Sequence, residues 1–378
     1  IARGAEGTDV ALEWSEAPLS PAPWAGRLGQ SAVILDDATV LALGGYKGPS
    51  CRNDVFHIAP GGNMLEQVTA TAEWSTRCNL CVVQLPGTNE TVIIGGDKKN
   101  DAWRSTDSGI TFTKISSNVW DQAAQGRQHH GCVAVTATKL FAFGGNSAGN
   151  VNHNDVRVST DSGATWTDVD HSSCGENQRM WPKRRHLSYI FMPLLGRIVV
   201  AGGQETETLW HNDVWYSNVD AKCWTLAKND TNLAVDGYWG ATLLTVPFGG
   251  VEALILLGGE GRGTIVELSI DGGSIWTVVA STGTMWTGRK QFPAVVDTRF
   301  ARLLIWGGFP TKTDLWTAPM LPIYNALVPN SSPFSAIDAY CGARTPCRVE
   351  GNQLTIIGTN FSDAADLSVT IGGKPCTD

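Results

Sequence analysis

Tryptophan and arginine recur together along this chain. Trp24-Ala-Gly-Arg27, Trp74-Ser-Thr-Arg77, Trp181-Pro-Lys-Arg184 and Trp286-Thr-Gly-Arg289 share one spacing. Arg127 recurs with its tryptophan displaced to Trp120, and Tyr238 stands beside Trp239 where another arginine would fall. A guanidinium fork matches the geometry of a carboxylate or sulfate, and an indole face stacks on a sugar or a cation. Gathered round one opening, Arg27, Arg77, Arg127, Arg184 and Arg289 with Trp24, Trp74, Trp181, Trp286 and Tyr238 would form a basic, aromatic-rimmed ligand site, asymmetric at Tyr238. The competing reading is structural: tryptophan wedged between repeated units, and arginine bonded to loop carbonyls or paired with an aspartate such as Asp54 or Asp101. Residues that repeat in a repeat protein usually serve the scaffold, which favours the structural reading.

The repeat itself is set by glycine. Apolar runs end in Gly44-Gly45, Gly95-Gly96, Gly144-Gly145, Gly202-Gly203, Gly258-Gly259 and Gly307-Gly308, at first-glycine intervals of 51, 49, 58, 56 and 49 residues. A unit of this length cannot bury its own apolar face and must stack on copies of itself. Each unit reads as short β-rich runs between turn residues, with no sustained helical period: Cys132-Val-Ala-Val, Lys139-Leu-Phe-Ala-Phe-Gly-Gly145, Asn154-Asp-Val-Arg157, then Thr165-Trp166-Thr-Asp-Val. Four strands per unit is the count of a propeller blade. Each arginine of the first motif sits about 17 to 20 residues before its glycine pair, at the entry to the innermost strand. A second signature, Ser-x-Asp-x-Gly-x-x-aromatic, marks the turn before the last strand at Ser105–Phe112, Ser159–Trp166 and Ser269–Trp276. There the aspartate caps its own turn and the glycine supplies a left-handed position. The fourth unit keeps only Ser217, Asp220 and Trp224, so its turn must differ.

The glycine pair, the Asn-Asp-Val-Trp-like step and the late tryptophan resemble kelch repeats over roughly residues 10–320, and the aspartate turn resembles the Asp box of sialidases and related propellers. The fifth unit departs, with Gly263-Thr-Ile-Val-Glu267 in place of Asn-Asp-Val-Trp. Some kelch proteins bind acidic peptides with arginine from the start of the inner strand, which lends the ligand reading weight at Arg27, Arg77 and Arg127. Six units imply an all-β, six-bladed propeller. The sixth is one strand short after Thr313-Asp-Leu-Trp316, and Val10-Ala-Leu-Glu-Trp14 offers the missing strand. Trp14 is therefore expected to complete blade six and close the ring, removing an exposed strand edge.

The propeller is assigned to residues 1–320, a Pro-rich linker with Cys341 and Cys347 to 321–350, and the start of a second domain to 351–378. Leu354-Thr-Ile-Ile-Gly-Thr-Asn-Phe361, then Val369-Thr-Ile-Gly-Gly-Lys-Pro-Cys376, resembles the opening half of an IPT/TIG domain, an immunoglobulin-like β-sandwich. Its remaining strands are expected beyond Asp378, in a longer parent protein. A start at Ile1 without methionine reads as a processed or trimmed terminus.

With 42 Gly, 15 Trp and 17% charged residues in 378, the chain suits a large all-β core. A net charge of −8 argues against nucleic-acid or anionic-membrane partners, and no apolar stretch approaches the roughly 20 residues that span a bilayer. Asn89, Asn229, Asn330 and Asn360 each open an Asn-x-Ser/Thr triplet at a turn or linker, where a glycan is accommodated. Nine cysteines are many for a reducing compartment. Cys51 with Cys78, Cys341 with Cys347, and Cys174 with Cys223 are the expected bridges. Cys132 is read as a buried thiol, and Cys376 as pairing beyond the end. Cys78-Asn-Leu-Cys81 lacks the second pair that a zinc site needs.

Enzymatic readings fare worse. A sialidase resemblance would need an arginine triad, a Tyr–Glu pair and an Arg-Ile-Pro element, yet Arg27 is followed by Leu28-Gly29. Galactose oxidase also joins kelch blades to an immunoglobulin-like domain, but its copper site needs tyrosines and a Tyr–Cys crosslink. Here His129, His130 and His186 have no such set around them, and inner-strand histidines of kelch repeats commonly pack near the axis. The expectation is a non-enzymatic, extracellular or cell-surface binding or adhesion module, without cofactor or metal, whose propeller face takes a protein or glycan. A subunit of an extracellular filament or coat, in contact with copies of itself, is the alternative, and a copper oxidase or glycosidase the remaining one.

Overall fold

The computed structural model describes residues 11–17, 26–60, 65–121, 126–175, 180–229, 237–248, 251–320 and 322–323, with the backbone of four short strands after residue 346. Six sheets, antiparallel but for one strand of the last, are arrayed around an axis. Blade one comprises Ser31–Ile34, Val40–Leu43, Val55–Ile58 and Leu65–Thr69; blade two Cys81–Gln84, Thr91–Ile94, Ala102–Ser105 and Thr113–Ser116. Blade three comprises Gly131–Ala134, Leu140–Phe143, Val156–Ser159 and Thr167–Asp168; blade four Ser188–Met192, Arg197–Gln204, Trp210–Asn218 and Trp224–Lys228. Blade five comprises Thr242–Phe248, Val251–Leu257, Val266–Ser269 and Thr277–Val278. In every blade the first strand lies innermost and touches the first strands of its neighbours, closing the circle between blades one and six.

Blade six follows the sequence expectation. Ala294–Asp297, Arg302–Trp306 and Leu315–Pro319 are completed by Ala11–Glu16, with Glu16 opposite Trp316 and Ser15 opposite Thr317. The closure carries one addition that the repeat pattern did not announce. Ala280–Gly283, from the connection between blades five and six, pairs in parallel with Ala11–Trp14 as a fifth strand. The closing segment is thereby hydrogen-bonded on both edges.

The core lies between blades. Among the described residues, six apolar clusters form, one at each interface between adjacent blades. This explains why the second strands read as unbroken apolar runs. Val40-Leu-Ala-Leu43 and Leu140-Phe-Ala-Phe143 are buried along their whole length because both faces of the strand meet a neighbouring blade. The glycine pair then lets the next blade come close. Gly44 has φ of +59°, and a Cβ there would stand 2.7 Å from the Arg77 carbonyl oxygen of blade two.

The serine-aspartate turns fold alike in blades two, three and five. Ser159 Oγ donates to Asp161 and accepts from Gly163 N, while Asp161 accepts from Thr165 N. Each turn reaches back onto the preceding blade: Gly109 faces Leu41 and Val55 of blade one, and Gly273 faces Val214 of blade four. Blade four lacks the turn, as expected, and Ser217 Oγ donates instead to the Cys223 carbonyl.

Disulfides Cys51–Cys78 and Cys174–Cys223 form as expected, with Cα–Cα distances of 5.3 and 5.5 Å. Cys132 corrects the sequence reading: it is bonded to Cys81 and is no thiol. The two cysteines lie 51 residues apart, one repeat length, on innermost strands that run side by side. The Cys78-x-x-Cys81 pair is thus divided between two bridges. Cys341 lies outside the described residues, and of Cys347 only the backbone is described, in the strand Cys347–Glu350 paired with Gln353–Ile356.

Trp14 is 1% exposed and packs edge-on to Trp286 at 5.9 Å. Trp14→Ala is expected to lower stability by about 3–5 kcal/mol, the usual cost of truncating a buried aromatic, as measured by the denaturant midpoint. An unchanged midpoint would show that the ring does not depend on this strand.

Candidate functional site

The arginines come first because the sequence singled them out. Arg77, Arg184 and Arg289 have side chains with no solvent exposure, and Arg27 and Arg127 are equally enclosed. Each guanidinium grips an aspartate in its own blade, that of the Asn-Asp step in blades one to four and that of Thr313-Asp314 in blade six. Arg77 Nη1 and Nη2 donate to Asp101 Oδ1 and Oδ2 at 2.7 and 3.1 Å, and Arg289 does the same to Asp314 at 2.7 and 2.8 Å. Arg27 pairs with Asp54, Arg127 with Asp155 and Arg184 with Asp213. The same Nη1 also donates to the carbonyl of the first glycine of the pair: Gly44, Gly95, Gly202 and Gly307.

Tryptophan and asparagine complete this clamp. Trp74, Trp120, Trp181 and Trp286 are buried between blades, each ring 5.3–5.8 Å from the guanidinium carbon of its arginine. In blades one to three the asparagine before the aspartate holds the tryptophan loop of the next blade: Asn53, Asn100 and Asn154 Nδ2 donate to the carbonyls of Trp74, Trp120 and Trp181 at 3.0, 2.7 and 2.8 Å. The open basic mouth expected from Arg27, Arg77, Arg127, Arg184 and Arg289 is therefore not what the fold builds. The guanidinium charges are neutralised and turned inward, and Trp74, Trp181 and Trp286 offer no face to solvent. Trp24 lies outside the described residues, and Arg27 lies over Phe56 instead, at 5.2 Å. In blade five Tyr238 is buried, and Arg262 stands 4.9 Å over its ring with Nη2 2.7 Å from Glu267. The missing pair is rebuilt there from the opposite partner.

Two residues after each clamp arginine, or after Tyr238, lies the axis. Gly29, Asn79, His129, His186, Gly240 and Gln291 all adopt left-handed backbone, with φ between 53° and 65°. Gly29 N donates to Gln291 O, Asn79 N to Gly29 O, His129 N to Asn79 O, His186 N to His129 O, Gly240 N to His186 O and Gln291 N to Gly240 O. These six bonds, 2.7–3.2 Å long, form a closed backbone ring with one link from every blade. The required conformation favours glycine, asparagine and histidine. That fixed offset after each arginine was the signal available in the sequence.

Side chains of the ring make an asymmetric polar floor. His129 and His186 stack with centroids 3.6 Å apart. Asn146 Oδ1 accepts from His129 Nδ1 at 3.1 Å, and Gln291 Nε2 donates to His186 Nδ1 at 3.2 Å. This network assigns the proton to Nδ1 in His129 and to Nε2 in His186. Desolvation lowers both imidazole pKa values well below the ordinary 6.5; Arg185 adds to the effect at both, with Lys98 at His129 and the neighbouring His129 and Lys290 at His186. Both rings are neutral at physiological pH. His130 points the other way, buried against Trp120 at 5.1 Å, so the three histidines considered for copper do not converge.

Beside this floor a half-buried patch, exposed at Phe309, gathers residues that the arginine pattern overlooked. Trp239 lies 4.6 Å from His186 and edge-on to Trp210 at 6.3 Å. Lys290 Nζ sits 3.9 Å over Trp239 and 5.2 Å over Phe309, which is 49% exposed, and reaches Glu260 Oε2 at 2.7 Å. Aromatic faces with one cation and one carboxylate suit a partner that stacks and hydrogen-bonds.

A model of the IPT/TIG domain matches residues 343–378. The C-terminal domain is immunoglobulin-like, of the IPT/TIG kind. The match begins inside the segment read as linker. No curated protein matches the chain. Among the described residues, no helix is long and apolar enough to cross a membrane.

The clamp has a signature in acid. Burial alone would raise the Asp101 and Asp314 pKa values, but hydrogen bonds from Arg77, Arg289, Trp103 and Trp316, with the arginine charges, outweigh it and leave both below the ordinary 3.8. Carboxylates that bind protons more weakly when folded stabilise the protein above their unfolded pKa, and that contribution is lost as pH falls through the folded value. Thermal midpoints are expected to be level above about pH 5 and to drop below about pH 4. Asp314→Asn, which removes one such carboxylate, should flatten that drop while lowering the midpoint at neutral pH.

Proposed function

We propose that this chain is an extracellular, non-enzymatic binding module of a larger surface or secreted glycoprotein. Its kelch-type propeller with Asp-box turns presents the axial face to a protein or glycan partner. The observation that carries this reading is the Trp239–Lys290–Phe309 patch beside the axis: a half-buried indole and an exposed Phe309 ring next to backbone that the closed ring fixes. Surface aromatics that keep their place bind at low entropic cost. Three disulfides tying loops and neighbouring blades support an oxidising compartment. Asn89 and Asn229 are exposed, at a turn and at a strand end, positions that suit glycan attachment. Asn330 and Asn360 lie outside the described residues. An immunoglobulin-like neighbour suits a stalk that holds the propeller away from a surface.

The test is array binding of glycans and peptides by the whole chain and by Trp239→Ala and Phe309→Ser variants. Both variants should lose about tenfold or more in affinity for whatever partner the array yields, roughly 1.4 kcal/mol, at unchanged thermal midpoint. Equal binding by all three proteins would reject the axial face as the recognition surface.

A further inference from the structure

A cavity of about 300 Å³ opens at the rim of blade three, away from the axial ring. It lies where the third and fourth strands of that blade meet the chain arriving from blade two. Trp120, Asp121, Asp155, Arg157, Asp168 and His171 line it. Its volume is at the lower end of small-ligand sites, which run roughly 300–1,000 Å³.

The lining sets Val156 and Val169 beside the charged groups, and its polar atoms are only partly satisfied. Arg157, 3% exposed, donates to Asp168 Oδ1 at 2.6 Å, to Asp121 Oδ1 at 2.5 Å and to the Trp166 carbonyl at 3.1 Å. Among the described residues its Nε–H has no acceptor. Among the same residues Trp120, 1% exposed, also has a buried indole N–H without an acceptor, and the buried atoms Asp155 Oδ1 and His171 Nε2 lack partners. An unpaired indole N–H is shared with Trp74, Trp181 and Trp286, but the Arg157 Nε–H, Asp155 Oδ1 and His171 Nε2 are particular to this cavity, and a buried unpaired polar group costs about 1–3 kcal/mol. The Asp121 and Asp168 side chains are 64% and 63% exposed.

We propose that this cavity is a binding site for a single sugar residue, separate from the axial face. A polyhydroxylated ring supplies acceptors to the two N–H donors and donors to the carboxylates in the same small volume. A simple cation would leave both N–H groups unpaired, and an anion would meet three carboxylates. The pattern follows the general rule that a hydroxyl ligand is recognised by pairing buried donors and acceptors that lack partners without it.

Saturation-transfer NMR of the whole chain against D-galactose, D-mannose, D-glucose, L-fucose and N-acetyl-D-glucosamine tests this. At least one sugar is expected to give a saturable signal. Asp121→Asn and Asp168→Asn, at exposed positions that leave the clamp intact, should each weaken it about tenfold or more, as removal of a charge-assisted hydrogen bond predicts. Trp239→Ala should leave it unchanged. No signal from any sugar at millimolar concentration overturns the proposal, as does a signal that survives both aspartate changes. A signal lost in Trp239→Ala would place the sugar on the axial face and reject the rim site while supporting that face. Crystals soaked in the best sugar that show ordered water only in the cavity also overturn it.

Discussion

The arginine–aspartate clamp is the interaction on which the rest depends. In five of the blades a guanidinium joins two strands and the approach to the inner strand by pairing with one carboxylate, and in four of them bonds to both carboxylate oxygens and a further bond to a glycine carbonyl are evident. A buried charge without its partner costs several kcal/mol, so arginine, aspartate and the close glycine form a unit in which none is dispensable. The tryptophan that covers the pair belongs at once to the clamp and to the apolar interface between blades. Electrostatics and packing are in this way fixed by the same few residues in each repeat.

From the clamp the axis follows. An arginine anchored at the inner-strand entry sets the position of the residue two places later, and six such residues meet in one backbone ring. The ring consumes the polar backbone that would otherwise line a channel, leaving side chains to define the axial surface. The axial surface is consequently free to vary without disturbing closure. Histidine, asparagine, glutamine and glycine occupy equivalent places, and the patch of Trp239, Lys290 and Phe309 stands on one side of the axis. Variation on a fixed scaffold is how propellers acquire distinct partners.

The fifth blade shows how far the scheme tolerates exchange. Tyr238 replaces arginine and Glu267 replaces the tryptophan of the Asn-Asp-Val-Trp step, yet Arg262 from a neighbouring turn restores a cation over an aromatic ring and a carboxylate partner. The interaction persists although neither residue is in its usual place. A motif search by position misses this substitution, whereas charge and burial require it.

By itself the sequence determined the number of blades, the strand count, the closing role of Trp14, two disulfides and the immunoglobulin-like character of the C-terminal domain. All of these are written in period and pattern: glycine pairs at about fifty-residue intervals, apolar runs, a tryptophan-bearing segment where the last repeat falls short. It also held both readings of Arg27, Arg77, Arg127, Arg184 and Arg289, with Asp54 and Asp101 already named as partners. What only the tertiary structure decided is which way those guanidinium groups face, because the direction of a long side chain depends on a carboxylate some 25 residues away in the same blade. The same holds for Cys81–Cys132, for the parallel strand Ala280–Gly283 and for the neighbourhood of Trp239, Lys290 and Phe309. Each joins residues of different repeats or of connections that follow no period, and curvature of the closed ring alone brings them together.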